Sequence, residues 1–169
     1  MIAFGFDPGM DGGLACIVPH EEGLYVSASI MPFFGKKGTK RDIDALTIFK
    51  WINTIIARYP SADRLAVIEL VHSMAGQGVS SSFKFGKSYG QLLGAIACAG
   101  IPIKLVSPQK WKKEILSGTK KDKQAAINFV KSYYPEVNLR ATPRCTTDHD
   151  GIADAVCMAA YAKKLLSEG

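Results

Sequence analysis

The chain has no uninterrupted apolar run of the ~18 residues that a bilayer-spanning helix needs, and its opening IAFGFDPG carries an aspartate where a secretory leader would be apolar. No membrane partner is expected, and the chain reads as soluble and cytoplasmic, in the host cytoplasm if a phage encodes it. Cysteine is scarce. Cys16, Cys98, Cys145 and Cys157 fall at irregular spacings with no CxxC pair, three of them among small apolar residues, so neither a disulfide framework nor a structural zinc site is expected. Repeats, low-complexity tracts and Pro/Ser-rich linkers are missing too. The 169 residues, 47% hydrophobic and 21% charged, describe one domain with a real core, residues 1–169, and exclude a disordered or fibrous chain.

The absence that says most is acidic. Between Glu69 and Glu114 there is no Asp or Glu, while Lys84, Lys87, Lys104, Lys110, Lys112 and Lys113 lie there and Lys120, Lys121 and Lys123 follow. Much of the net charge of +6 is thus gathered in one segment. Such a field attracts polyanions: nucleic acid, an anionic membrane, an acidic protein or a phosphorylated ligand. Solvated lysines on helix faces would give the same pattern.

Periodicity predicts strands over 2–7, 13–19 and 24–30 joined by short turns, which make an antiparallel meander. A helix over 44–59 stops at Pro60, and an apolar strand at 65–69 follows. A helix is predicted over 80–99, a strand over 102–106, a short lysine-rich helix from Pro108, and helices over 120–134 and 151–166. The stretches 33–42 and 73–82 read as loops. This order predicts one mixed five-stranded α/β sheet flanked by helices, with the fourth and fifth strands parallel to the first, as in RNase H-like sheets.

Two of the apolar strands end in a lone acid, Asp7 and Glu69. The ends of parallel neighbours lie side by side, at the carboxyl edge where open α/β sheets place their sites. Asp150 and Asp154 stand at i and i+4, on one face of the last helix. Four gathered carboxylates repel unless cations occupy them, and hard oxygen donors suit Mg²⁺ or Mn²⁺. Two such ions about 4 Å apart would serve phosphodiester hydrolysis. Structural readings compete: Asp7 as a turn former before Pro8-Gly9, Asp150 as a helix cap. Asp148 and Asp11 read as helix-start and turn residues, His149 as an exposed helix-start histidine or else a ligand or proton carrier, and His20 as surface.

FGFDPGMDGGLA at 4–15, AVIELVHSMAGQGVSSSFKFGKSYG at 66–90 and HDGIADAVCMAA at 149–160 resemble, in this order over nearly the whole chain, the RuvC family of Holliday junction resolvases, most of all its short divergent bacteriophage members. The resemblance implies an RNase H-like homodimer that binds four-way DNA junctions and makes paired, Mg²⁺-dependent nicks. It implies that Asp7, Glu69 and Asp154 are family acids. The remaining family ligand commonly stands three residues before the last, which is Gly151 here, and Asp150 is the substitute one residue earlier. Lys123, within GTKKDKQAA, matches the basic residue near the scissile phosphate, with Lys121 its rival. His72 and Met74 stand where many relatives carry a junction-probing aromatic.

Lys84, Lys87, Lys110, Lys112, Lys113 and Lys121 are then expected to hold DNA through its phosphates. The helix 80–99 is the candidate dimer interface, with Phe83, Phe85, Tyr89, Leu92, Leu93, Ile96 and Ala97 apolar over a wide arc and Gly86, Gly90 and Gly94 allowing close approach. Phe83 and Phe85 read equally as internal helix packing. Three other functions stay open: a less selective nuclease on branched phage DNA, a junction-binding module without catalysis, and a phosphate loop of the actin-like ATPase kind, since DPGMDGGLA is also Gly-rich. The last kind needs two domains, which 169 residues do not supply.

Overall fold

The computed structural model describes residues 1–21, 23–35, 41–71 and 78–168. His72, Met74 and half of the predicted 73–82 loop, residues 73–77, lie outside the described residues. The chain forms β1 (Ile2–Phe6), β2 (Gly13–His20), β3 (Gly23–Ile30), two short strands β4 (Phe33–Phe34) and β5 (Asp42–Ile43), α1 (Ala45–Arg58), β6 (Arg64–Glu69), α2 (Val79–Cys98), β7 (Ile103–Val106), α3 (Pro108–Ile115), α4 (Lys123–Tyr133) and α5 (Asp150–Glu168). Five strands make one mixed sheet in the order β3-β2-β1-β6-β7, with β1, β2 and β3 antiparallel and β6 and β7 parallel to β1. This is the expected meander and crossover order.

The sheet separates two cores. On one face α5, α3 and α4 cover Ala3, Ala15, Ile17 and Val67, and on the other α1 and α2 cover Ile2, Phe4, Phe6, Cys16, Ala66 and Ile68. Every residue of β1 is therefore buried. α5 seats directly on backbone: a Cβ at Gly5 would overlap the Ala155 carbonyl, and one at Gly151 would lie 2.5 Å from the Asp11 carbonyl. Only hydrogen at these positions lets the helix reach the sheet.

Three boundaries differ from expectation for identifiable reasons. Part of the 33–42 loop pairs as a short ladder, Phe33 with Ile43 and Phe34 with Asp42, too brief to leave a periodic signal. The helix expected from 120 begins at Lys123, because Asp122 caps it by accepting the Ala125 N–H at 2.8 Å and Lys121 turns through a left-handed φ of 58°. At α5 the side chain at the cap position is His149, whose Nδ1 accepts the Ile152 N–H at 3.4 Å. Asp150 lies inside the first turn, so the cap reading of Asp150 fails and His149 is half-buried rather than a free surface residue.

Candidate active site at the carboxyl edge of the sheet

The last β1–β6 register pair is Phe6 with Ile68, so Asp7 and Glu69 emerge together from neighbouring parallel strands. α5 crosses the same edge and brings Asp150 and Asp154. Asp7 and Asp154 lie in the field of Glu69 and Asp150. Burial, then Asp154 and Glu69, push the Asp7 carboxyl up to about 7, against a lowering backbone N–H from Gly9, with Asp150 adding a smaller rise. Burial pushes Asp154 up to about 6, and Glu69 and Asp150 add to it.

Two of the four acids have side-chain partners. Glu69 Oε2 accepts the Trp111 indole N–H at 3.0 Å. Asp150 is ion-paired with Lys123, which holds its carboxyl below the ordinary range and raises the lysine. Asp154 Oδ1, by contrast, is buried with no hydrogen-bond partner, a costly arrangement for a carboxylate. That orphaned oxygen, beside the half-buried second acid Asp7, suits a hard cation in donor type. Among the described residues no three Asp, Glu, His or Cys side chains are gathered closely enough to hold an ion as they stand.

Gly151, between the two acids of α5, has no room for a longer side chain. Its Cβ position is filled by the Asp11 carbonyl and by Gly12, so no side chain fits there, and the neighbouring acid is Asp150. Asp148 and Asp11 lie apart from this chemistry, paired with Lys131 at 2.6 Å and Arg41 at 3.3 Å.

The lysines divide by place. Lys112, Lys113 and Lys121 line one cleft of about 480 Å³ with Pro108 and Gln109, and Lys110 is exposed on the same helix. Lys84 and Lys87 lie on α2, Lys87 tied to Asp42 at 2.8 Å. Sequence reasoning grouped Lys112 with the phosphate-holding lysines and missed its effect on Asp154, whose carboxyl its charge lowers more than that of Lys123 does. Trp111 was missed as well. The available signal was a tryptophan in a helix of mostly lysine and other polar residues, since a buried indole needs both a core to enter and an acceptor to meet.

α2 sorts the candidate interface residues. Leu92 and Ile96 are wholly buried, and Tyr89 and Leu93 pack on the same core. Phe85 stacks on Tyr89. Phe83 is 74% exposed, which excludes it from internal packing, and Gly86, Gly90 and Gly94 face open space.

No protein-family model matches the chain, and no curated protein matches it in sequence. Solved structures do resemble it. Thermus thermophilus RuvC is 21% identical over 97% of this chain and 96% of its own, with a TM-score of 0.56. T. thermophilus RuvC in complex with a Holliday junction substrate is 18% identical over 100% and 96%, at 0.57. The yeast mitochondrial Holliday junction resolvase Ydc2 is 14% identical over 98% of this chain and 78% of its own, at 0.59. Among the described residues no helix is long and apolar enough to cross a membrane. The chain therefore carries an RNase H-like α/β fold, and the RuvC resemblance read from its motifs holds at the level of that fold.

Proposed function

We propose that the chain is a divalent-metal-dependent endonuclease that resolves branched DNA, four-way junctions foremost, by paired nicks made as a homodimer. The observation that carries this reading is the meeting of Asp7, Glu69, Asp150 and Asp154 in one field at the carboxyl edge of the sheet, with an Asp154 oxygen buried and unpartnered. These four residues would hold two Mg²⁺ ions, with Mn²⁺ able to substitute. Such ions, when bound, activate water and stabilise the leaving oxygen of a phosphodiester. The chain's own lysines supply the rest. Lys112 and Lys123, both in the field of Asp154, are suited to stabilise charge that develops on the scissile phosphate. Lys113 and Lys121, in the adjoining cleft, are suited to grip neighbouring phosphates.

One carboxylate cluster per chain makes one nick, so symmetric nicks require a twofold pair. The exposed α2 face of Phe83, Gly86, Gly90 and Gly94 is the surface proposed for it. The phosphate-loop alternative loses ground, because within the Gly-rich turn the Gly12 N–H donates to the Gly9 carbonyl at 3.0 Å and is not available to a ligand.

The test is incubation of a labelled immobile four-way junction with Mg²⁺, with Asp7→Asn as control. Symmetric, ligatable nicks by the wild type alone are expected. Tight junction binding without any nicking would leave a binding module, and equal cutting of three-way and four-way DNA would leave the less selective nuclease.

A further inference from the structure

Trp111 touches both kinds of charge at the site. Its side chain is wholly buried in the core under α5, and a buried indole N–H takes an acceptor wherever it finds one. The acceptor here is a carboxylate, Glu69 Oε2, at 3.0 Å. The Lys112 ammonium lies over the same indole, 5.1 Å from its ring centroid, within the range of a cation–π contact. The end of β6 is held from the other side too, where the Tyr89 hydroxyl of α2 donates to the Glu69 backbone carbonyl at 3.3 Å.

This arrangement has a chemical consequence. A strand fixes the Cα of Glu69 but leaves three side-chain torsions free. An indole has one hydrogen to donate, so it engages one carboxylate oxygen and leaves the other available. Lysine or arginine in its place would neutralise the acid and compete with a cation. A neutral donor orients the carboxylate and leaves its charge intact, which is the property wanted of a group that supports an ion ligand.

We infer that Trp111 is a positioning residue: its indole N–H fixes the Glu69 carboxylate with one oxygen free for a divalent ion, while its ring steadies Lys112 beside the same site. The inference rests on the reading of Glu69 as an ion ligand. Its scope is wider than cleavage, because Trp111 must sense whatever Glu69 binds.

The chain has two tryptophans, so a nitrogen-15 correlation spectrum contains two indole signals, and Trp51→Phe assigns them. On addition of Mg²⁺ alone the Trp111 signal is expected to move and the Trp51 signal to stay. Glu69→Gln, which keeps the packing of Trp111, should shift that signal before any metal is added and abolish its response to Mg²⁺. In Trp111→Phe the ring remains and the donor is lost: the Mg²⁺ concentration for half-maximal nicking should rise about 10-fold or more, with junction affinity in EDTA unchanged. A Trp111 signal indifferent to both Mg²⁺ and Glu69→Gln overturns the inference, and so does a Mg²⁺ requirement in folded Trp111→Phe equal to wild type. A wild type that nicks no junction at any Mg²⁺ concentration overturns the nuclease reading instead, and the indole response still decides the role of Trp111.

Discussion

α2 and α5 are helices of nearly equal length, 20 and 19 residues, and both are rich in small side chains. In α5 eleven residues between Gly151 and Ala162 are buried, and the small ones are there because the backbone of β1 and β2 comes too close for anything larger. In α2 only Ser88, Leu92, Ala95 and Ile96 are buried, while Gly86, Gly90 and Gly94 meet nothing. The same residue class answers two demands. In α5 it is consumed inside the chain and fixes where Asp154 stands; in α2 it is left over, on the face proposed above for a second copy of the chain.

The largest effect expected from breaking this comparison is on chemistry. Asp154→Asn should lower the nicking rate by more than about 100-fold, the upper range for removing a mere supporting partner of a metal ligand. Junction affinity should stay near wild type or tighten, since one carboxylate fewer repels the phosphates. Single-turnover cleavage beside a gel-shift titration reads both, and full cleavage activity would remove Asp154 from the site. No substitution on the exposed α2 face should separate cleavage from binding in this way.

Next comes the seat itself. Gly5→Ala places a methyl group where the Ala155 carbonyl already is, so α5 must lift from the sheet, at a cost of about 3 kcal/mol or more. Denaturant unfolding should show it. An unchanged midpoint would mean that α5 has room to spare.

A pH series tests the same seat without mutation. Asp7 and Asp154 bind protons more tightly in the folded chain than their ordinary value of 3.8 allows, so between those values the folded state holds the extra protons. The stability they contribute is fully present below about pH 3.8 and is lost as pH rises through about 6 for Asp154 and about 7 for Asp7. In EDTA, melting temperature should therefore fall across this window, by roughly 1–4 kcal/mol in stability, and Mg²⁺ at pH 8 should restore much of it. Asp7→Asn should melt higher than wild type at pH 8 in EDTA. α2 contains no acid at all, so a variant altered only on its open face should keep the wild-type profile.

Much of this was legible in the sequence. Apolar strands with a terminal acid, a meander closed by short turns, and an i,i+4 acid pair are all local patterns, and they led to the sheet order and to the four carboxylates. What was not legible depends on distant backbone. Nothing around Gly151 announces that the Asp11 carbonyl fills its side-chain position, and nothing around Trp111 names Glu69, 42 residues earlier, as its acceptor. The lysines show the same limit. Counting them located a positive segment, but only packing separates Lys112, beside Asp154, from Lys87, tied to Asp42.

That separation sets the fourth expectation. Lys112→Ala and Lys123→Ala should reduce cleavage more than binding, by about 10²-fold where transition-state charge is involved. Lys113→Ala and Lys121→Ala should mainly weaken binding and flatten its salt dependence by roughly one unit of slope for each phosphate no longer neutralised. Equal binding losses for all four would merge the two groups.

The smallest change in the folded chain, and the sharpest for the comparison, is at Gly90. A Cβ there meets nothing within the chain, and glycine inside a helix costs roughly 0.5–1 kcal/mol relative to alanine. Gly90→Ala should therefore stabilise the isolated subunit by about that amount, and Gly90→Leu should leave its fold intact. Across a close helix–helix contact the outcome reverses, because each added atom holds the two backbones apart. Sedimentation at micromolar concentration should accordingly show a wild-type dimer and a Gly90→Leu monomer that still unfolds cooperatively, without the stability that association adds to the wild type. Paired nicks should then give way to single ones. A Gly90→Leu chain that remains dimeric would move the interface off α2 and leave its glycines without a purpose in assembly. A wild type that is monomeric with and without junction DNA would do the same to the dimer itself.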